Sequence, residues 1–403
     1  MITMIQKLVV FRGPVPALML VGLMSLLLGC AGAPPQRNPV PVELVDEAVV
    51  PGIDRARYPG DSPPPWSEEW LEEATEEELA RRFGSIMHVE HHYLAISGGG
   101  ANGAYGAGIL VGWTEAGDRP EFTVVTGIST GALTAPFAFL GPDYDDELQE
   151  VYTTFETADL VERRGFLALF RRDAAVDSAP LRAMIAEYVD DEMITRIAAE
   201  HAKGRSLVIG TTNLDTMRPI VWNITRIAAS DVPDRGELIR DILLASASIP
   251  AGLPPVMFEV EANGQRYDEM HVDGGTTSQV FFYPAGLDWG KLLELFDVPG
   301  RPDLYVIRNA RIEPRYKTTD RRATAIAMRA LTSLLRTQGI ADLYRIYTTA
   351  QRDGLEYHGA AIPDDFTLEA TEMFDVVYMR ELFNLGYERA RVGYPWTEHP
   401  PGM

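Results

Sequence analysis

From residue 91 onward, short apolar runs alternate with stretches of helical character, and that alternation leaves few folds open. "HHYLAIS" (91–97) reads as a strand, Ala104 to Glu115 as a helix, "EFTVVTG" (121–127) as a strand, and Ala132 to Leu140 as a helix again. "RSLVIGTTNL", "RPIVWNIT", "RYDEMHVDGG" and "DLYVIRNA" add strands, while Leu238 to Ala247 and Arg321 to Arg352 add helices. Such alternation implies an α/β sandwich with a largely parallel sheet. With 403 residues there is room for one large domain or two ordinary ones.

The loop after the first of these strands, "SGGGANG", contains Gly98, Gly100 and Gly103 in the spacing of a dinucleotide-binding turn. A dinucleotide site also requires an acid about 20 residues later, at the end of the next strand, for the ribose hydroxyls. That strand ends instead in "VVTGISTGAL", with no acid. Gly127-Ile128-Ser129-Thr130-Gly131 spells G-x-S-x-G between a strand and a helix, the setting in which a serine is lifted out on a sharp turn. Gly127 and Gly131 allow the turn, and the helix that follows favours developing negative charge. A nucleophilic serine needs a base and an oxyanion hole. Gly98, Gly99 and Gly100 are candidate backbone donors, with the Thr130 amide as another source. A third glycine-bounded polar site, Asp273-Gly274-Gly275, ends a later strand, two residues after His271.

The amino terminus reads as a targeting segment. Lys7 and Arg12 precede the apolar run "PVPALMLVGLMSLLL" (14–28), too short to span a bilayer and suited to a signal-peptide core. It leads into "LLGC" and Ala31, which resembles the lipobox of bacterial lipoproteins. Cys30 is the only cysteine in the sequence and sits where a lipid anchor would attach. The expectation is a signal peptide over 1–29 and a membrane-anchored protein of the bacterial envelope, with Ala31 favouring the outer membrane. Residues 30–66 are proline-rich and read as an acylated cysteine with an extended tether; 67–92 read as an acidic helical lead-in that starts at Ser67. The net charge of −22 argues against nucleic acid as a partner.

"GGGANG", "GISTG" and "DGG", in that order, together with "TTNLD" (211–215) and "ASASIPAGLPPV" (245–256), resemble the patatin-like phospholipases over about residues 93–285. The resemblance implies a three-layer α/β/α sandwich with a mainly parallel sheet and a catalytic core over 93–285. Residues 286–403 would be the C-terminal part of the same domain. It also implies hydrolysis of a lipid ester by a dyad, Ser129 as nucleophile and Asp273 as base, with no cofactor and an oxyanion hole from Gly98 to Gly100. The family often has Arg or Lys where this chain has Asn102.

Two readings compete. An α/β-hydrolase esterase would complete a triad from Ser129, Asp273 and His358, in the usual chain order. A non-catalytic lipoprotein would keep the fold as a lipid-binding module. "GFLALFRRD" (165–173), with Phe166, Leu167, Leu169 and Phe170 beside Arg171 and Arg172, is either a lid or a helical core segment. His88, His91 and His92 form no metal-ligand spacing and read as surface imidazoles.

Overall fold

The computed structural model describes residues 37–163, 174 and 176–403. The signal peptide, Cys30 and the 165–173 segment therefore lie outside the described residues. In chain order the strands are β1 (Arg57–Pro59), β2 (His92–Ile96), β3 (Val124–Ile128), β4 (Glu162–Arg163), β5 (Val176–Asp177), β6 (Ser206–Asn213), β7 (Arg218–Asn223), β8 (Val256–Ala262), β9 (Gln265–Asp273), β10 (Asp303–Arg311) and β11 (Glu356–Ile362). Strands β4 and β5 form a small ribbon of their own. The others build one sheet in the order β1-β7-β6-β3-β2-β10-β11, with β9 pairing β6 and β8 pairing β9. From β6 through β11 the path is parallel; β1, β7, β8 and β9 run antiparallel to their neighbours.

The expected three layers follow from burial on both faces. In β2, Leu94 and Ile96 enter one hydrophobic core while Tyr93 and Ala95 enter another. Successive strand side chains point to opposite faces, so helices must cover both. The first core takes α1 (Gly103–Ala116), α2 (Thr130–Leu140), α3 (Arg235–Ala247) and, near the C-terminus, α5 (Val376–Ala390). The second takes the inner half of α4 (Ala323–Arg352) through Leu343, Ile346 and Ala350. Residues 286–403 supply β10 and β11 to the same sheet.

Two expectations need correction. From Arg37 onward the chain is not a free tether. Val50, Ile53 and Ala56 are buried in the first core, and β1 pairs with the outer edge of β7. The Arg57 guanidinium forms a buried ion pair with Glu269. Proline is compatible with such an edge position, and the apolar side chains and the buried ion pair tie the segment down. The acidic lead-in is two helices, Ser67–Glu73 and Glu76–Phe83, because Thr75 starts a new one with a capping box to Glu78. Ser67 is not the cap; its hydroxyl donates to the Pro64 carbonyl at 2.7 Å.

Candidate active site

Strand register brings together what the sequence separates. Ile128, the last residue of β3, pairs with Gly210 of β6, and the next residue of β6, Thr211, pairs with Asp273 of β9. With β7 on the other edge of β6, β3 and β9 follow one another along the same edge, and Ser129 and Asp273 meet where they join. The Ser129 hydroxyl donates to Asp273 Oδ2 at 2.7 Å. Both residues are buried.

Ser129 has φ +55° and ψ −125°, a conformation that costs a non-glycine residue about 1–3 kcal/mol. The turn closes only because its flanks lack side chains. A Cβ on Gly127 would collide with the Gly131 carbonyl, and one on Gly131 with the Ile96 carbonyl. A polar relay fixes the turn further. The Ser129 amide donates to Ser246 Oγ at 3.0 Å, and Ser246 Oγ donates to the Gly210 carbonyl at 2.7 Å. Ser246, fully buried at the end of α3, lies inside "ASASIP"; a serine in a helix carries no local signal for such a role.

Asp273 is fixed from three sides. Its amide donates to the Ser248 carbonyl at 2.9 Å, and its Oδ1 accepts from the Gly275 amide at 2.7 Å. Burial pushes its pKa up to about 6, although the hydrogen bonds from Ser129 and Gly275 pull the other way. A carboxyl with that pKa remains ionised at neutral pH and is a better base than a free aspartate.

Of the expected amide donors, Gly98 is already committed to the Gln279 carbonyl at 3.0 Å. The amides of Gly99, Gly100 and Thr130 have no partner among the described residues. Gly100 adopts φ +56°, which suits glycine. The loop is held from behind by Asn309 of β10, whose amide donates to Ser97 Oγ and whose side chain donates to the Ser97 carbonyl. Gly100, Ser129 and Thr130 open onto a narrow apolar slot of about 50 Å³, walled by Leu133, Leu181, Met184, Met373 and Met379 among others. Asn102 lies just beyond the loop, its Oδ1 accepting from the Tyr378 hydroxyl at 2.6 Å.

The histidines are elsewhere. His358 pairs with Asp303 at 2.7 Å and stacks on Tyr305. Tyr305 is in register with Leu94, at the end of the sheet opposite the turn that carries Ser129. Four residues along and three strands across separate them, about 19 Å, so the triad is not assembled. His271 is buried between Thr211 and Glu269. His91, expected at the surface, is buried against Tyr93 and the Ile86 carbonyl. Asp303, Glu356 and His358 hold three potential donor atoms within 4.8 Å of one another, also at the far end of the sheet.

No curated protein matches the sequence. Among solved structures, VipD from Legionella pneumophila is similar with a TM-score of 0.38 and 14% identity, over 75% of this chain and 66% of VipD, just under two thirds of its length. The family model of the patatin-like phospholipases matches residues 94–285. Ser129, Asp273 and the glycine loop all fall inside that span, and residues 94–285 carry a patatin-like phospholipase domain.

Proposed function

We propose that this protein cleaves carboxylic esters of lipids through a Ser129–Asp273 dyad and an acyl-enzyme. The observation that carries the reading is the 2.7 Å hydrogen bond from the Ser129 hydroxyl to a buried carboxylate. As Ser129 Oγ attacks the ester carbonyl, Asp273 takes its proton. The amides of Gly99, Gly100 and Thr130 receive the oxyanion. Collapse of the tetrahedral intermediate expels the alcohol, which takes the proton from Asp273 and leaves the acyl group on Ser129. Water then loses a proton to Asp273 while attacking the acyl-enzyme; the fatty acid leaves and Ser129 is reprotonated. Met184, Met373 and Met379 wall the slot beside the serine, and their flexible thioethers can give way to an acyl chain.

The test is labelling with a fluorophosphonate probe and hydrolysis of a lipid-class panel. Wild type should label at Ser129, and Ser129→Ala should lose label and at least about a thousandfold in rate. An unlabelled wild type would favour a lipid-binding module instead. His358→Ala should keep its activity; a dead variant would restore the triad.

The anchor is part of the same proposal, supported by the apolar run and "LLGC" before Ala31. Cells fed a radioactive fatty acid should label the wild-type protein and not Cys30→Ser. Equal labelling of both would remove the anchor and, with it, the envelope location.

A further inference from the structure

Next to the glycine loop is a second and larger pocket, of about 710 Å³. Asn102 and Gln279 form its wall toward the loop, two residues from Gly100 and in backbone contact with Gly98. The remaining walls carry Arg308, Arg311, Arg315, Arg329 and Arg336, with Glu313 as the one acid lining it.

That concentration runs against the rest of the chain. Residues 301–336 hold nine basic and three acidic side chains, in a sequence whose net charge is −22. Even so, these arginines are not neutralised. Among the described residues only Arg315 meets a carboxylate, Glu369, at 3.4 Å near the surface. Arg311 donates to the carbonyls of Pro363, Asp364 and Phe366, Arg336 to that of Ile312, and Arg329 to that of Arg315. Arg308 is the sharpest case. It is 3% exposed, and among the described residues its Nε is buried without a partner and its one hydrogen bond is a long one to the Arg336 carbonyl. Burial first, and Arg336 second, lower its pKa to about 10. A buried guanidinium lacking an acceptor is costly unless an anion completes it.

We infer that this pocket receives the phosphate of an anionic phospholipid whose ester lies at Ser129. Guanidinium forks suit phosphate oxygens, which accept paired charge-assisted hydrogen bonds. The layout fits one molecule: acyl chain in the slot, carbonyl at the glycine loop, phosphate among the arginines beyond Asn102. Ile326, which lines the pocket and is exposed on α4, gives its rim an apolar component that a bilayer would cover and free phosphate would not. This inference rests on the hydrolase reading above for the position of the ester, and on the arginines alone for the phosphate.

Two short-chain lipids that differ in the head group separate the alternatives: dihexanoyl phosphatidylglycerol and dihexanoylglycerol. Wild type should prefer the phosphatidylglycerol by about tenfold or more in kcat/KM, and Arg336→Gln and Arg329→Gln should each lower that ratio by about tenfold. Arg308→Gln should do the same where its melting temperature shows it folded. An unchanged ratio, or equal losses on both lipids, overturns the inference. Calorimetric titration of Ser129→Ala with the phosphatidylglycerol provides a readout that needs no catalysis. Binding that Arg336→Gln abolishes, beside a wild type that hydrolyses neither lipid, upholds the pocket and fails the hydrolase reading alone. Inorganic phosphate binding as tightly as the lipid overturns the assignment to a lipid head group.

Discussion

At Asp273 the fold trades stability for basicity. A carboxyl whose pKa is about 6 when folded, against 3.8 for the ordinary side chain, prefers its neutral form in the folded state. Its favourable contribution is therefore complete below the unfolded pKa and is lost as pH rises through about 6; at pH 7 the deficit is on the order of 3 kcal/mol. Asp273→Asn should abolish hydrolysis while raising stability by about 1–3 kcal/mol at pH 8, with less gain at pH 4, in urea denaturation. An Asn variant less stable than wild type at pH 8 would show that the carboxylate is not penalised. The acid limb of kcat should likewise fall as pH drops through about 6. The identities of Ser129 and Asp273 were legible because each sits in a short glycine-bounded motif. The commitment of the Gly98 amide to Gln279 was not, since it depends on where a distant loop returns.

Among the elements, Gly108 and Gly112 of α1 have a purpose apart from the site. Gly108 of α1 faces the backbone of α5, where a Cβ would strike the Phe383 carbonyl, and Gly386 in turn approaches the Tyr105 carbonyl. The two helices thus pack backbone to backbone. Gly108→Ala should destabilise the protein by about 2–3 kcal/mol in urea denaturation, because the obstacle is main chain and cannot rotate away. A change below about 0.5 kcal/mol would mean that the helices can part. Read locally, these glycines merge with the loop before them; only α5, more than 260 residues later, explains them. The β2, β3, β6, β9 and β10 strands were readable from their apolar runs. The helix break at Thr75 was not separated from its surroundings, since Ser67 offered an equally good start on paper.

For the whole molecule, sequence patterning was most informative where the sheet is parallel and most misleading at its amino-terminal margin. Residues 37–66 have the proline content of a linker, but Val50, Ile53 and Ala56 find a core, and Arg57 finds Glu269. Their partners lie more than 160 residues away, on β7 and β9, and periodicity does not register such distances. Arg37 is the outermost of these fastenings, bound to Asp215 and Asp268. With Cys30 acylated as proposed, only six residues, 31–36, separate the lipid-bearing cysteine from the fastening, at most about 24 Å of extended chain. Asp268 lies five residues along β9 from Asp273, another 17 Å or so. The dyad would then graze within roughly 40 Å of its own anchor, restricted to lipid in the leaflet it is moored to.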